Sequence, residues 1–375
     1  MKRSQMTSLT LDQFDYHLPA DRIAQTPLAQ RDQSKLLHLD KQTGAITHKK
    51  FTDIIDMLQP GDILVANNSR VIPARLYGRK PTGGKAEILL LEQLDDTRWR
   101  GLVGGKKMRE GTTIHLHDQA GQATDISATI TAVTDTAERE LTFSQPTDDW
   151  LHTVGHIPLP PYIHQRLDNN ERYQTIYNRN EGSAAAPTAG LHFTPNVLLS
   201  LREKGVLFET VTLHIGLDTF KPVSVDQITE HPIHTEWATL TPEAAQRINE
   251  AKLAGGRLIA IGTTSVRTLE TAALYSAGLT PPFNTISRRD TAGDTSDFCP
   301  WKPVAAFSQP TDLYLYPGYK FRAVDAMITN FHMPKSTLMM LVSAFAGRDP
   351  IMNAYQSALN NDYRFLSLGD AMFIA

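Results

Sequence analysis

The chain has 375 residues, 41% hydrophobic and 21% charged, with a formal net charge of −3. This composition is that of an ordinary globular protein with room for a large core, and it excludes a protein that is basic all over. The single Cys299 excludes an intrachain disulfide and points to a reducing, cytoplasmic setting. The start MKRSQMTSLTLDQFDY is basic but lacks the apolar segment of a signal peptide, and no run of about 18 apolar residues suggests a membrane span.

In chain order, residues 11–58 read as a turn and short helix (LDQFDYHLPADRIAQ), a strand (SKLLHLD) and a helix (FTDIIDMLQ) closed by Pro60-Gly61. From 61 the character changes. GDILVANN, ARLYGRK, AEILLLEQ, RWRGLVGG, TTIHLHD, ISATITAVTD and RELTFSQ follow at short spacing, divided by Gly, Asp and Thr turns. Many short strands with regular turns predict a small barrel or sandwich. After about 151 the helical period returns. A Pro-rich stretch, GHIPLPPYI, precedes the small-residue loop GSAAAPTAGLHFT at 182–194 and a helix over 195–204 that Gly205 stops. The strand VLFETVTLHIG, the helix TPEAAQRINEAKLAGG, the strand RLIAIG and the helix TTSVRTLETAALYSAG come next. Residues 278–311 are rich in Pro, Thr, Asp and Ser and read as a loop or flap. LYLYPG and AMITNFH read as strands, PKSTLMMLVSAFAG and 350–361 as helices, and AMFIA as a closing strand. Alternating β and α elements on both sides of an all-β block predict a layered α/β domain (1–60 and 152–375) interrupted by an inserted barrel-like domain (61–151).

Three junctions place small or hydroxyl residues at a helix start beside a basic one: GLHFTP at 190–195, IGTTSVRTLE at 261–270 and ITNFHMPKST at 328–337. A fourth strand end, TLHIGLDTF at 212–220, offers His214, Gly216, Asp218 and Thr219. Ligands of α/β sheets sit beyond the carboxyl ends of strands. Each junction alone reads as a helix cap, which Thr and Ser supply routinely; together they point to a shared pocket. A helix start with Arg267 or Lys335 suits a carboxylate or phosphate. The loop is expected to let a ligand lie against bare backbone, so that a bulky side chain at Ala189 or Gly190 blocks binding and leaves the fold intact.

In the β block, Asn67, Asn68, Ser69, Arg70, Arg75, Arg79 and Lys80 form a polar, basic run. Residues 70–109 carry ten Lys or Arg against four acids. A basic barrel face suits phosphates, and Tyr77 and Trp99 suit base stacking. His115 and His117 lack partners for a metal set, so no metal is expected. GxGxxG, GxxxxGK[ST] and GxSxG in a suitable setting are all absent, which removes the common dinucleotide, nucleotide and hydrolase readings.

The strings DYHLPADRIAQTPLAQRDQSKLL, PGDILVANNSRVIPARLYGRK, GHIPLPPYI, YQTIY, VTLHIG, HPIHTEW, AIGTTSVRTLE, ITNFHMPKSTLMMLVSAFAG and YRFLSLGDAMFI run nearly end to end. On these the chain resembles the S-adenosylmethionine:tRNA ribosyltransferase-isomerases of queuosine biosynthesis. Ala184 stands where Val is expected and Asp218 where Gly is common, and 278–311 is longer than expected. The resemblance implies an α/β domain interrupted by a barrel. It also implies transfer of the ribosyl unit of S-adenosylmethionine, a co-substrate, onto 7-aminomethyl-7-deazaguanine at the tRNA wobble position. Epoxyqueuosine forms and adenine and methionine leave. No metal, flavin or prosthetic group is implied, and a monomer is expected. A methyltransferase, or a non-catalytic RNA-binding protein, is the rival reading.

The chemistry needs a base for the carbon beside sulfur, tuned near neutral pH. His214 is the first candidate, ahead of His192 and His332. The donor is expected to meet Pro187, Thr188, Ala189, Gly190 and Phe193 of the loop, Gly216 of the fourth strand end, and Thr263, Thr264 and Arg267 of the second junction. Asn330, Lys335 and Ser336 of the third junction complete the set. Asn67, Asn68, Arg70, Arg75 and Arg79 are assigned to the tRNA or its modified base.

Overall fold

Two uninterrupted apolar runs, ILVA at 63–66 and LIAI at 258–261, form the middle of the molecule and are wholly buried. Strands of this kind suit a parallel sheet covered on both faces. The computed structural model describes residues 9–134, 138–165, 167–216, 223–284 and 301–375. In chain order, β1 (Lys35–Leu39) and β2 (Ile46–Lys50) form a hairpin, and α1 (Ile54–Met57) leads to β3 (Ile63–Asn67). The short β4 (Ser69–Val71) then leaves for the insertion.

The insertion is a closed barrel of β5 (Arg75–Arg79), β6 (Lys85–Gln93), β7 (Arg98–Gly104), β8 (Thr113–His117), β9 (Ala123–Val133) and β10 (Glu138–Phe143), in the order β10-β7-β6-β5-β8-β9. Alternation along these strands fills the interior with Leu76, Ile88, Ile114 and Ile130. Trp99 belongs to that interior, its indole N–H donating to Thr147 Oγ1 at 3.1 Å. It is therefore unavailable for base stacking. The chain returns through α2 (Leu151–Val154) and the bridge between Arg75 and His156 to β11 (Asn180–Ser183), which pairs in parallel with β4.

The rest builds α3 (Pro195–Glu203), β12 (Leu207–Leu213), β13 (Glu236–Leu240), α4 (Pro242–Leu253), β14 (Leu258–Ile261), α5 (Thr263–Ser276), β15 (Phe307–Thr311), β16 (Ala326–Asn330), α6 (Thr337–Ala346), α7 (Arg348–Asn360) and β17 (Ala371–Ile374). Among the described residues the large sheet has the order β15-β13-β12-β3-β14-β16-β17-β1-β2. Its central four strands, β12, β3, β14 and β16, are mutually parallel. The fold class is as expected, an α/β domain with an inserted barrel.

Three expectations are corrected. GDILVANN does not open the β block: β3 pairs with β12 and β14 at the centre of the large sheet, and the barrel runs only from Arg75 to Phe143. LYLYPG forms no strand: β15 ends before it at Thr311, and the carbonyl of Leu313, its first residue, accepts from the Arg267 guanidinium. The segment 278–311 is not all loop. Its last residues are the edge strand β15, paired with β13, while 285–300 lie outside the described residues.

Helix α5 is buried from Ser265 to Leu274 and carries two charged residues inside. Glu270 accepts four hydrogen bonds, from Tyr319 Oη at 2.9 Å and from the N–H groups of Arg322, Ala323 and Val324 at 2.9–3.0 Å. Removing that carboxylate orphans several donors at once, each worth about 1–3 kcal/mol. Glu270→Ala is therefore expected to destabilise the protein by at least about 3 kcal/mol in urea unfolding. Glu270→Gln, which keeps one acceptor oxygen, should recover part of the loss.

Candidate functional site

The second and third expected junctions and the start of the fourth segment meet at the carboxyl ends of the parallel strands, while the first junction, 190–195, gives way to the preceding 185–189, and Asp218 and Thr219 lie outside the described residues. A cavity of about 430 Å³ lies there, lined by 185–189 of the small-residue loop, Ile215 after β12, 262–264 after β14, and 329–336, which runs from the last two residues of β16 into the turn beyond it. Its size is within the roughly 300–1,000 Å³ of small-molecule sites. Gly262 sits at φ +86°, a conformation L side chains avoid. It starts α5 with no side-chain cap, so the free N–H groups of the first turn open beside Thr263 and Thr264 into the cavity. Opposite, Thr188 Oγ1 donates to Asn330 Oδ1 at 2.8 Å, and Asn330 Nδ2 lies 3.3 Å from His192 Nε2.

The turn 332–336 is pinned from outside. Tyr16 Oη donates to the His332 carbonyl at 2.5 Å, and Lys335 N–H to the Phe14 carbonyl at 2.9 Å. Lys335 has φ +55°, and its ammonium pairs with Asp12 at 2.7 Å and Asp15 at 3.1 Å. Ser336 Oγ caps α6 by accepting from Met339 N–H at 3.2 Å.

Of the expected residues, Pro187, Thr188, Ala189, Thr263, Thr264, Asn330, His332, Lys335 and Ser336 line the cavity. The others lie elsewhere. Ile215 faces the cavity, so His214, one residue back on an alternating backbone, points away and packs beside Gly182. Its Nδ1 is buried without a hydrogen-bond partner among the described residues, and burial lowers its pKa. His192 turns off the end of a short 3₁₀ helix into the interior. It bonds Ser34 Oγ at 2.8 Å, stacks on Phe51, and burial pulls its pKa down to about 4. Phe193 is core packing against Phe51. A Cβ on Gly190 would come 2.0 Å from Tyr177 Oη, so bulk there breaks packing, whereas Ala189 does face the cavity.

Gly216 N–H donates to Glu236 Oε1 at 3.1 Å. Arg267 is committed to Glu236 and to three carbonyls, those of Leu313, Thr311 and His234, and does not line the cavity. Burial pushes the Glu236 carboxyl up, but His234 and Arg267 beside it outweigh that and hold it below its ordinary range.

His332 is the one expected catalytic residue on the cavity wall. Its Nε2 lies 2.9 Å from Thr329 Oγ1, and burial lowers its pKa to about 3, so the ring is neutral at neutral pH. Sequence reasoning missed Tyr162 and Ser367, hydrogen-bonded to each other at 2.6 Å on the wall. Their strings, GHIPLPPYI and YRFLSLGD, lie far apart in the chain and carry no helix-start signal.

Among the residues assigned to the tRNA, Asn67 and Asn68 are buried and paired within the sheet edge. Arg70 is engaged by Glu171 and Asn178, and Arg75 by Glu87 at 2.8 Å. Arg79 is exposed on the barrel. Among the described residues no group of three His, Cys, Asp or Glu is placed to hold a metal ion, and no helix is long and apolar enough to cross a membrane.

A nucleoside-sized cavity at the carboxyl edge of a parallel sheet, beside an inserted barrel, defines a two-domain protein built around a small-molecule site. The chain belongs to the family of queuosine biosynthesis proteins, whose model matches residues 11–374. It is also similar to the crystal structure of an S-adenosylmethionine tRNA ribosyltransferase from Thermotoga maritima. The identity is 36% over 97% of this chain and 100% of that one, with a TM-score of 0.52.

His192 makes stability pH-dependent. Its folded pKa is depressed from 6.5 to about 4, so the unfolded state binds more protons between those values and stability falls as pH drops from 6.5. The lost contribution approaches about 3 kcal/mol below pH 4. His192→Asn is expected to lower the melting temperature at pH 7 but to flatten its decline between pH 6.5 and 4 in a calorimetric pH series.

Proposed function

We propose that the protein transfers and isomerises the ribosyl unit of S-adenosylmethionine onto 7-aminomethyl-7-deazaguanine at the wobble position of tRNA. The product is epoxyqueuosine tRNA, with release of adenine and methionine. The observation that carries this reading is the cavity of about 430 Å³, with an uncapped helix start on one wall and the Thr188–Asn330 pair on another. It lies in a chain similar over 97% of its length to a named S-adenosylmethionine tRNA ribosyltransferase.

In this reading the donor's carboxylate meets the start of α5 and the Lys335 ammonium, where a negative charge is favoured. The Thr188–Asn330 pair hydrogen-bonds the nucleoside, and the apolar wall of Ala186, Pro187 and Phe331 covers its ring. His332 is the proton-transfer group. Its Nε2 faces Thr329, and burial keeps the ring uncharged at rest; the same burial makes it a weaker base than a free imidazole, so the acidity that sulfur gives the neighbouring carbon carries the step.

Positive sulfur acidifies the carbon next to it. Removing that proton leaves an electron pair that opens the ribose ring and expels adenine, which takes up a proton. The substrate amine then adds to the double bond this leaves and gives up a proton. The carbanion so regenerated beside sulfur closes on the aldehyde, and the resulting alkoxide forms the epoxide as the carbon–sulfur bond breaks and methionine leaves. No net electrons are gained or lost.

Product analysis with S-adenosylmethionine and the tRNA is expected to give adenine and methionine in equal amounts. Formation of S-adenosylhomocysteine would mean methyl transfer and overturn the reading. His332→Ala is expected to lower kcat by about 100-fold or more with donor affinity changed only a few-fold. With a wild-type histidine pKa of about 3, its own titration should give no inflection in kcat/KM near pH 6.5. An unchanged kcat would place the proton transfer elsewhere.

A further inference from the structure

A second, larger depression of about 1,150 Å³ lies where the barrel meets the returning chain. One residue, Pro161, lines both this cleft and the donor cavity, so the two spaces adjoin. The barrel side of the cleft is the outer face of β5 and its neighbours. On β5 the burial alternates, turning Leu76 and Gly78 inward and Arg75, Tyr77 and Arg79 outward. The other side is the Pro-rich stretch after Gly155, including His156, Pro160 and Ile163.

Tyr77 is 40% exposed, unusual for a large ring with nothing to solvate but its hydroxyl. It meets His156 edge-on, with centroids 5.1 Å apart and planes at 68°, so that contact covers at most one of its two faces. Leu89 and Leu102 continue an apolar floor beside it. Two residues farther along β5, about 7 Å, the surface becomes basic. Arg79, Lys80, Lys85, Lys106, Lys107 and Arg109 make no ion pair among the described residues. The two turns that carry them adjoin, since Lys80 Nζ donates to the Lys106 carbonyl at 2.7 Å.

A cleft with an exposed ring and an apolar strip of floor, mixed polar walls that include Arg75, Asp118 and Asp168, and basic turns beyond its lining that start two residues past Tyr77 suits single-stranded nucleic acid, whose bases stack and whose phosphates pair with Lys and Arg. A small metabolite would leave most of so large a space empty, and a folded double helix has no splayed base to offer the cleft.

Resting on the reading of the donor cavity given above, we propose that this cleft seats the unpaired nucleotides next to the reacting one, with Tyr77 as the stacking platform for a flanking base. The reacting nucleotide passes Pro161 toward the donor, its neighbour lies on Tyr77, and the backbone crosses the basic turns. The barrel thereby selects RNA with splayed, single-stranded bases beside the target. Tyr77 binds RNA and takes no part in bond making.

The test uses the full chain and a synthetic RNA hairpin whose loop carries 5-iodouridine beside the target position. Irradiation with wild-type protein is expected to crosslink the peptide that contains Tyr77 or the one that contains His156. Crosslinks confined to other peptides would overturn the proposal. In fluorescence anisotropy, Tyr77→Ala is expected to weaken hairpin binding about tenfold, within the range of one lost base stack, while S-adenosylmethionine affinity is unchanged. Hairpin affinity within twofold of wild type would refute it, and a matched thermal midpoint shows that the variant is folded. The two readings fail separately. If wild-type protein releases adenine but Tyr77→Ala binds RNA normally, only the cleft assignment falls. If wild-type protein forms no product yet Tyr77→Ala loses RNA, the reaction assignment falls and the cleft stands.

Discussion

One buried amide holds the working edge of this protein together. Asn67 ends the central strand β3, and its side chain is inaccessible to solvent. Nδ2 donates to the Leu213 carbonyl at 2.9 Å, while Oδ1 accepts from the N–H groups of Leu213 and Ser69 at 3.1 Å. A buried amide must be satisfied or it costs stability, and here satisfying it does three things. It extends the pairing of β3 with β12 past the last backbone register, and it turns the chain into β4, which leaves for the barrel. It also reaches Thr264 Oγ1 at 3.4 Å, where α5 begins. The cavity wall, the exit to the insertion and the start of the buried helix are thus referred to the same side chain.

Charge is used sparingly around the cavity, and where it is used it is already spoken for. Arg267 and Glu236 neutralise each other behind the wall, and Glu270 ties α5 to the loop before β16. Both carboxylates anchor α5, Glu236 from strand β13 through Arg267 and Glu270 from the helix itself. What remains for a ligand is a bare helix start, a hydroxyl–amide pair, an uncharged imidazole and the Lys335 ammonium, which Asp12 and Asp15 already share. Under the proposed reaction that set suits a cationic donor better than a site crowded with acids would, because strong anions beside its positive sulfur would stabilise the ground state as well as the transition state.

The fold class was legible because the two halves have different periods. Short alternating strands with Gly and Asp turns mark the barrel, and runs such as PEAAQRINEAKL with Thr-Pro at the start mark helices. The boundary was not legible at GDILVANN, since a buried parallel strand and a barrel strand look alike over five residues. Convergence of the segments after β12, β14 and β16 was legible from their place at strand ends, whereas 185–189 and not the expected junction 190–195 supplies the fourth wall. Which side chain turns inward was not. His214 and Ile215 are adjacent and point opposite ways, and only the register of β12 against β3 and β13 decides between them. The same limit hid Tyr162 and Ser367, which meet across 205 residues.

The central claim is that the donor lies in the cavity between the Thr188–Asn330 pair and the start of α5. A crystal structure of the protein with S-adenosylmethionine bound tests it most directly. The account predicts the nucleoside against Ala186 and Pro187, with the amino-acid end toward Thr263 and Lys335. A donor bound in the barrel cleft, or beside His214 and Gly182 with the cavity empty, would contradict it.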